Sequence, residues 1–178
     1  MENFRVPEVT FKTRTGDDQA IGGCNFIGGT WKDLTTDDYF KGKKVVLFSL
    51  PGAFTPTCSS QQLPGYEEKY NEIKALGIDE VYCISVNDAF VMNAWFRDQG
   101  IKNVKPIADG NGHFTIGMDM AVNKEHLGFA HRSWRYSAVI NQGLVEKMFV
   151  EPGKNNTGDD MDPFEVSDVD TILNYLKG

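Results

Sequence analysis

The chain has little of what marks a membrane, nucleic-acid or disulfide-scaffold protein. Its longest clearly apolar run is the seven-residue VVLFSLP starting at Val45, far short of the roughly 18 residues that span a bilayer. Basic residues are in deficit, 18 Lys plus Arg against 25 Asp plus Glu for a net charge of -7. With no basic stripe, that balance argues against a phosphate-backbone binder, so no nucleic-acid partner and no membrane partner is expected. Only three cysteines occur, Cys24, Cys58 and Cys83; one stays unpaired in any disulfide scheme, which points to a reducing compartment. No CxxC and no Cys/His pair at finger spacing suggests structural zinc. No G-x-S-x-G elbow suggests a serine hydrolase. Repeats, low-complexity tracts and Ser/Gly linkers are also missing. The amino terminus, MENFRVPEVT, has neither signal-peptide nor transit-peptide character, so a cytoplasmic location is expected.

What is present is an ordinary globular composition, 40% hydrophobic and 24% charged over 178 residues. That length suits a single domain over residues 1–178 able to bury roughly 70% of its unfolded surface. Residues 44–50 (KVVLFSL) and 80–86 (EVYCISV) are continuous apolar runs, as in strands covered on both faces. Between them a helix is expected from near Cys58 to Leu76, with Tyr66, Tyr70, Ile73 and Leu76 on one face, a bend at Pro64 and a stop at Gly77. Asn87-Asp88 should cap a second helix running to Asp98 and closed by Gly100. RYSAVINQGLVEKMFV reads as a hairpin, with strands near 135–140 and 144–150. Residues 151–163 read as an exposed loop, and 166–176 as a last helix opened by Ser167 or Asp168. EVTFKTR adds an amino-terminal strand. The expected fold class is α/β: a thioredoxin-like order of elements, with a central mixed sheet flanked by helices and an N-terminal β extension.

The segment that can carry chemistry is PGAFTPTC, residues 51–58, between the first buried strand and the long helix. Pro51 and Pro56 stiffen the loop, and Gly52 permits a tight strand exit. Cys58 in the first helical turn would lie beside unpaired backbone N–H groups and the positive end of the helix dipole, which favours thiolate over thiol. The Thr55 hydroxyl could hydrogen-bond both the thiolate and an approaching oxygen. HRSWRY, residues 131–136, offers Arg132 and Arg135 as cations, and a planar guanidinium could contact a sulfur and a bound oxygen together.

PGAFTPTC followed by SSQQLPGYEE, the VYCISVNDAFVMNAW segment, the DGNG turn and RSWRY together resemble a peroxiredoxin of the type II class, within the AhpC/TSA-Redoxin superfamily. The resemblance covers about residues 4–176. It implies that Cys58 is the peroxidatic cysteine, Pro51 the loop proline, Thr55 the active-site threonine and Arg135 the active-site arginine; Arg132 is read either as support for Arg135 or as part of a surface or interface salt bridge. It further implies reduction of hydrogen peroxide and alkyl hydroperoxides through a sulfenic acid, no metal, haem or flavin cofactor, and a homodimer whose contact flanks the active-site loops.

The chain departs from the family's pattern in two places. Gln62 stands where many relatives carry histidine, so that residue cannot move a proton. No cysteine occurs in residues 151–178, where some relatives place a resolving cysteine. Cys83 matches the spacing of a second cysteine in plant-type relatives, so a resolving role is the alternative to its reading as a core-packing residue. Yet it sits inside an apolar strand, and a disulfide to Cys58 needs Cα atoms within about 7 Å, so the helix start would have to unwind. Bacterial relatives are fused to a glutaredoxin domain just beyond the segment resembling DPFEVSDVDTILNYL. The expected reductant is therefore external, glutathione or glutaredoxin, with thioredoxin as an alternative.

Other candidates read as structural. Cys24 is expected to be incidental, and His113, His126 and His131 to be solvated or structural. DGNG at 109–112 should be a turn and not a calcium loop, since Met120 stands at the twelfth position. Met92, Trp95 and Phe96 should pack on the sheet, while some of Phe54, Phe90 and Phe129 line the peroxide entrance or the dimer contact. Two other classes remain. A dithiol-disulfide oxidoreductase would need a cysteine where Thr55 stands, and a non-enzymatic binding module would tolerate loss of Cys58.

Overall fold

The structure is a computed structural model that describes residues 3–16, 19–20, 26–159 and 161–178; Cys24 lies outside the described residues. The amino-terminal part holds β1 (Phe4–Arg5), β2 (Thr10–Thr15), β3 (Gln19–Ala20), β4 (Phe26–Ile27), β5 (Thr30–Thr35) and α1 (Thr36–Phe40). The central part runs β6 (Lys44–Ser49), α2 (Leu63–Glu68), α3 (Tyr70–Ala75), β7 (Glu80–Ser85), α4 (Ala89–Asp98), β8 (Lys105–Ala108) and α5 (His113–Gly117). It closes with β9 (Ala121–Asn123), β10 (His131–Ser133), β11 (Tyr136–Asn141), β12 (Leu144–Val150) and α6 (Val169–Lys177).

Six strands form one mixed sheet in the order β1-β12-β11-β6-β7-β8. β6, β7 and β8 are parallel, and β11 pairs antiparallel with β6 and β12. β2 and β5 form a separate antiparallel pair, the expected amino-terminal extension. The architecture is thus the thioredoxin-like α/β fold with a mixed central sheet. Alternation along β6 explains why both faces are covered: Val46 and Phe48 point into one core cluster, Val45 and Leu47 into the other. The first cluster takes Leu63, Tyr66, Ile73, Met92, Trp95, Phe96, Ile172 and Leu173 from the helices. Tyr66 stacks on Phe48 at a centroid distance of 4.0 Å, locking the long helical segment onto the strand that leads into the PGAFTPTC loop.

Several elements differ from the sequence-based expectation. The long helix is interrupted. Pro56 and Thr57 are helical, Cys58–Gln62 is a π-helical turn closed by Leu63 N–H to Cys58 O, and α2 and α3 meet at Lys69. The wide turn ends just before Pro64, which has no N–H to contribute to a tighter register. Asp88 caps α4 as expected, its carboxylate accepting from Val91 N at 3.0 Å. α6 starts three residues later than expected, at Val169, capped by Asp168 and not by Ser167.

The late start has a cause. Glu151, 1% exposed, accepts the backbone N–H groups of Glu165 (2.9 Å), Val166 (2.9 Å) and Ser167 (2.8 Å) and the Ser167 hydroxyl (2.7 Å). Those donors are held by a carboxylate and do not start a helix. The segment after β12 is largely exposed as expected, and Glu151 ties its two ends together. Glu151→Ala would strand three backbone donors, and at 1–3 kcal/mol for each unsatisfied group a loss of about 3 kcal/mol or more is expected. Urea unfolding checks this: Glu151→Gln, which keeps one carbonyl oxygen, should lose clearly less, and equal midpoints for the wild type and Glu151→Ala would sink the account.

Candidate active site

The site lies beyond the carboxyl ends of β6 and β7, where the sheet switches from parallel to antiparallel neighbours, a common place for ligand sites in α/β folds. β6 ends at Ser49, and the chain passes through Pro51, Gly52 and the left-handed Phe54 (φ 61) into the helical turn that carries Cys58. A positive φ at a bulky non-glycine residue is uncommon, and here it throws the Phe54 ring outward to 55% exposure.

Neighbouring strands brace this loop. Asn87, just after β7, accepts from Ala53 N at 3.0 Å and from Ser85 Oγ at 2.7 Å. Arg132 on β10 donates from Nη1 to the Pro51 carbonyl at 3.0 Å and from Nε to the Phe129 carbonyl at 3.1 Å. Gly52 leaves room for that contact, since a Cβ there would come 2.4 Å from Arg132 Nη1 and displace the guanidinium. Trp95 Nε1 on α4 donates to Ser59 Oγ at 3.0 Å and so fixes the residue after Cys58.

Cys58 is buried with no exposed surface. Arg135, 1% exposed, joins β10 to β11 and directs Nη1 to Cys58 Sγ at 3.5 Å and to Gln62 Oε1 at 2.6 Å. Gln62 lies one π-helical turn beyond Cys58, and its Nε2 faces the Ser167 carbonyl and hydroxyl at 3.5 Å each. Tyr66 donates to the same Ser167 carbonyl at 2.8 Å. A buried side-chain network thus runs from the Glu151 carboxylate through Ser167 and Gln62 to the guanidinium that faces the sulfur. Sequence reasoning saw in Gln62 only a lost acid–base group; the amide positions Arg135 instead.

The two arginines differ in electrostatics. Burial pushes Arg135 downward, but the charges of Cys58 and Asp162 outweigh that, and its proton is held more tightly than usual. Burial also pushes Arg132 downward, and there Cys58 does not make up the difference. Arg135 is the cation built into the site, and Arg132 braces the loop through carbonyls. Thr55 is placed differently from expectation: its hydroxyl donates to the Gly52 carbonyl at 2.7 Å, so its proton is spent within the loop and its lone pairs remain to accept.

Cys83 on β7 lies opposite Phe48 in the parallel register and is fully buried. Burial pushes its thiol well above the ordinary cysteine value, the Cys58 charge adds to that, and Arg135 offsets only part. Asp109 of the DGNG turn accepts from Phe114 N and Thr115 N at the start of α5, the structural role expected of that turn. Met92, Trp95 and Phe96 pack in the core as expected, and His113, His126 and His131 are exposed.

A buried cysteine in the first turn of a helix, at the carboxyl edge of a thioredoxin-like sheet and facing a guanidinium, defines a thiol-based redox protein. The Redoxin family model matches residues 5–173. A peroxiredoxin of Synechocystis sp. is 56% identical over 176 residues, covering 98% of this chain and 90% of that protein. A peroxiredoxin of Rhizobium etli is 58% identical over 175 residues, covering 97% and 94%. Among solved structures, the Plasmodium falciparum antioxidant protein, a 1-Cys peroxiredoxin, superposes with a TM-score of 0.87 at 35% identity over 99% of this chain and 98% of that one. The chain belongs to the Redoxin family, as a type II peroxiredoxin of the AhpC/TSA superfamily. Thiol-dependent peroxidase activity and antioxidant function come with that membership.

Proposed function

We propose that Cys58 reduces hydrogen peroxide and alkyl hydroperoxides and is returned to the thiol by glutathione, alone or through glutaredoxin. The observation that carries the reading is Arg135 Nη1 at 3.5 Å from Cys58 Sγ, a fixed cation at the reacting atom. The sulfur attacks the terminal peroxide oxygen; the S–O bond forms as the O–O bond breaks, and the departing alkoxide or hydroxide takes a proton to leave as alcohol or water. Sulfur loses two electrons, the peroxide gains them, and a sulfenic acid remains. Arg135 stabilises the charge shared between sulfur and leaving oxygen, Pro51 and Arg132 hold the loop, and Thr55 offers acceptor lone pairs to the peroxide O–H. No step calls for a bound cofactor.

The choice of reductant rests on Cys83. A buried thiol with a strongly raised pKa is a poor nucleophile, and the β7 ladder holds it in place. Glutathione therefore supplies the resolving thiol: its sulfur displaces water from the sulfenic acid to give a mixed disulfide at Cys58, and a second glutathione or a glutaredoxin thiol releases the enzyme. Since Cys58 has no exposed surface, that exchange requires its helical turn to open. A reducing compartment such as the cytoplasm suits the free thiols at Cys58 and Cys83. A homodimer fits the apolar surface that Phe54 and Leu127, each 55% exposed, present beside the site's loops.

The test is intact mass and thiol count after one equivalent of hydrogen peroxide, with and without glutathione, on the wild type and Cys83→Ser. Both proteins should gain one oxygen and then one glutathione. Rapid loss of two thiols in the wild type, absent in Cys83→Ser, would make Cys83 the resolving residue and overturn this choice of reductant.

A further inference from the structure

The reaction uses the sulfur-facing side of Arg135, yet the structure also occupies its other terminal nitrogen. Nη2 donates to Asp162 Oδ1 at 2.5 Å. Asp162 comes from the segment between β12 and α6, seven residues before Val169 and far from the cysteine loop in sequence. Its φ of 50 is left-handed, a conformation that aspartate tolerates better than most residues, and the turn brings its carboxylate onto Arg135. The placement is supported on its carboxyl-terminal side, since Glu151 pins Glu165 to Ser167 and the Phe164 ring lies 5.8 Å from Arg135 Cζ. The guanidinium side chain is 1% exposed and the carboxylate side chain 42%, so Asp162 stands at the boundary between solvent and the buried cation. Among the described residues, the buried Arg135 Nε has no hydrogen-bond partner.

Catalysis needs a permanent cation beside the sulfur, and a permanent cation attracts any small anion that reaches it. A neutral hydroperoxide has no charge with which to compete against chloride, phosphate or a carboxylate for that guanidinium. An anionic side chain fixed on the outer nitrogen removes the competition and leaves the inner nitrogen facing the sulfur.

We propose that Asp162 is a positioning residue that holds Arg135 by its outer nitrogen and makes the site select neutral hydroperoxides over anionic ones. Selection follows from two terms with the same sign: the carboxylate repels a negatively charged substrate, and it occupies the donor such a substrate would take. Asp162→Asn keeps the size and one acceptor oxygen but removes the charge, and Asp162→Glu keeps the charge on a longer stem.

The test compares kcat/KM for two probes that differ chiefly in charge, a carboxylate-bearing derivative of tert-butyl hydroperoxide and its methyl ester, at low ionic strength where the field is least screened. The wild type should favour the ester by about tenfold, the size of one partly screened charge–charge contact. In Asp162→Asn that preference should largely vanish and added chloride should inhibit, while Asp162→Glu restores most of the preference. An ester-to-acid ratio near one in the wild type overturns the proposal without any variant. So does an Asp162→Asn enzyme whose rates fall equally for both probes, because a simple loop latch cannot sense substrate charge. The proposal rests on the peroxidase reading, and the two fail separately: no wild-type turnover of hydrogen peroxide sinks that reading, whereas normal turnover with charge-blind selection sinks only the assignment of Asp162.

Discussion

Arg135→Ala should lower the second-order rate of Cys58 with hydrogen peroxide by about 10²- to 10³-fold, the usual cost of removing one fixed donor from the place where charge develops. In the transition state the departing oxygen carries charge, and the guanidinium that faces Sγ at 3.5 Å is already oriented by Gln62 at 2.6 Å. Little reorganisation is then needed during the reaction, which is the condition for a large electrostatic effect. The alanine variant also leaves Gln62 Oε1 buried without its donor, costing about 1–3 kcal/mol of stability. A fall in rate could then be mistaken for unfolding, and Arg135→Lys separates the two. Lysine restores the charge but not the fork whose Nη1 faces sulfur and Gln62 while Nη2 holds Asp162, so an intermediate rate is expected with stability closer to wild type. Stopped-flow thiol loss beside thermal unfolding supplies the comparison; an alanine rate within threefold of wild type would remove Arg135 from the chemistry.

How much of this was legible in the sequence follows from where the information sits. β6 and β7 announce themselves as continuous apolar runs because parallel strands are buried on both faces, and Asp88 with Gly100 brackets α4 because caps are local. β5 was missed for the opposite reason: its residues TWKDLT are mostly exposed and show no apolar alternation. β8 was missed because KPIA is short and holds Pro106, acceptable on an edge strand but a poor strand signal. The cysteine loop and the two arginines stood out mainly through the family resemblance, since PGAFTPTC and HRSWRY lie far apart in the chain and no spacing rule joins them. The contacts of Glu151 with Ser167 and of Arg135 with Asp162 span 16 and 27 residues and involve polar side chains from a segment that reads as a solvated loop. No period or cap marks such pairings, which depend on the tertiary fold. The π-helical turn at Cys58–Gln62 was illegible for a related reason: it places Gln62 against Arg135, a purpose visible only when both residues are in place.

Cys58→Ser should reduce peroxide turnover to the background rate, the largest single effect expected in this protein. The exchange replaces sulfur with oxygen at a position with no exposed surface, so the backbone, the π-helical turn and the contacts of Arg135 with Gln62 and Asp162 have no reason to move. A buried hydroxyl is costly when unsatisfied, and Arg135 Nη1, 3.5 Å from Sγ, is too far to bond the shorter serine side chain well, so a stability loss of about 1–3 kcal/mol is expected. What disappears is the nucleophile. A serine hydroxyl keeps its proton at neutral pH and has no base beside it, since Gln62 cannot accept a proton and the Thr55 hydroxyl is bonded to Gly52. An alcohol oxygen also cannot form the sulfenic acid to which the peroxide's electrons are traced. Peroxide consumption with glutathione and glutaredoxin present, measured beside a thermal melt, gives the answer. Turnover within tenfold of wild type in a folded Cys58→Ser would assign the chemistry to Cys24 or Cys83, and the same assay on Cys83→Ser then says which. With Cys83 buried and its proton tightly held, that variant should instead turn over at close to the wild-type rate.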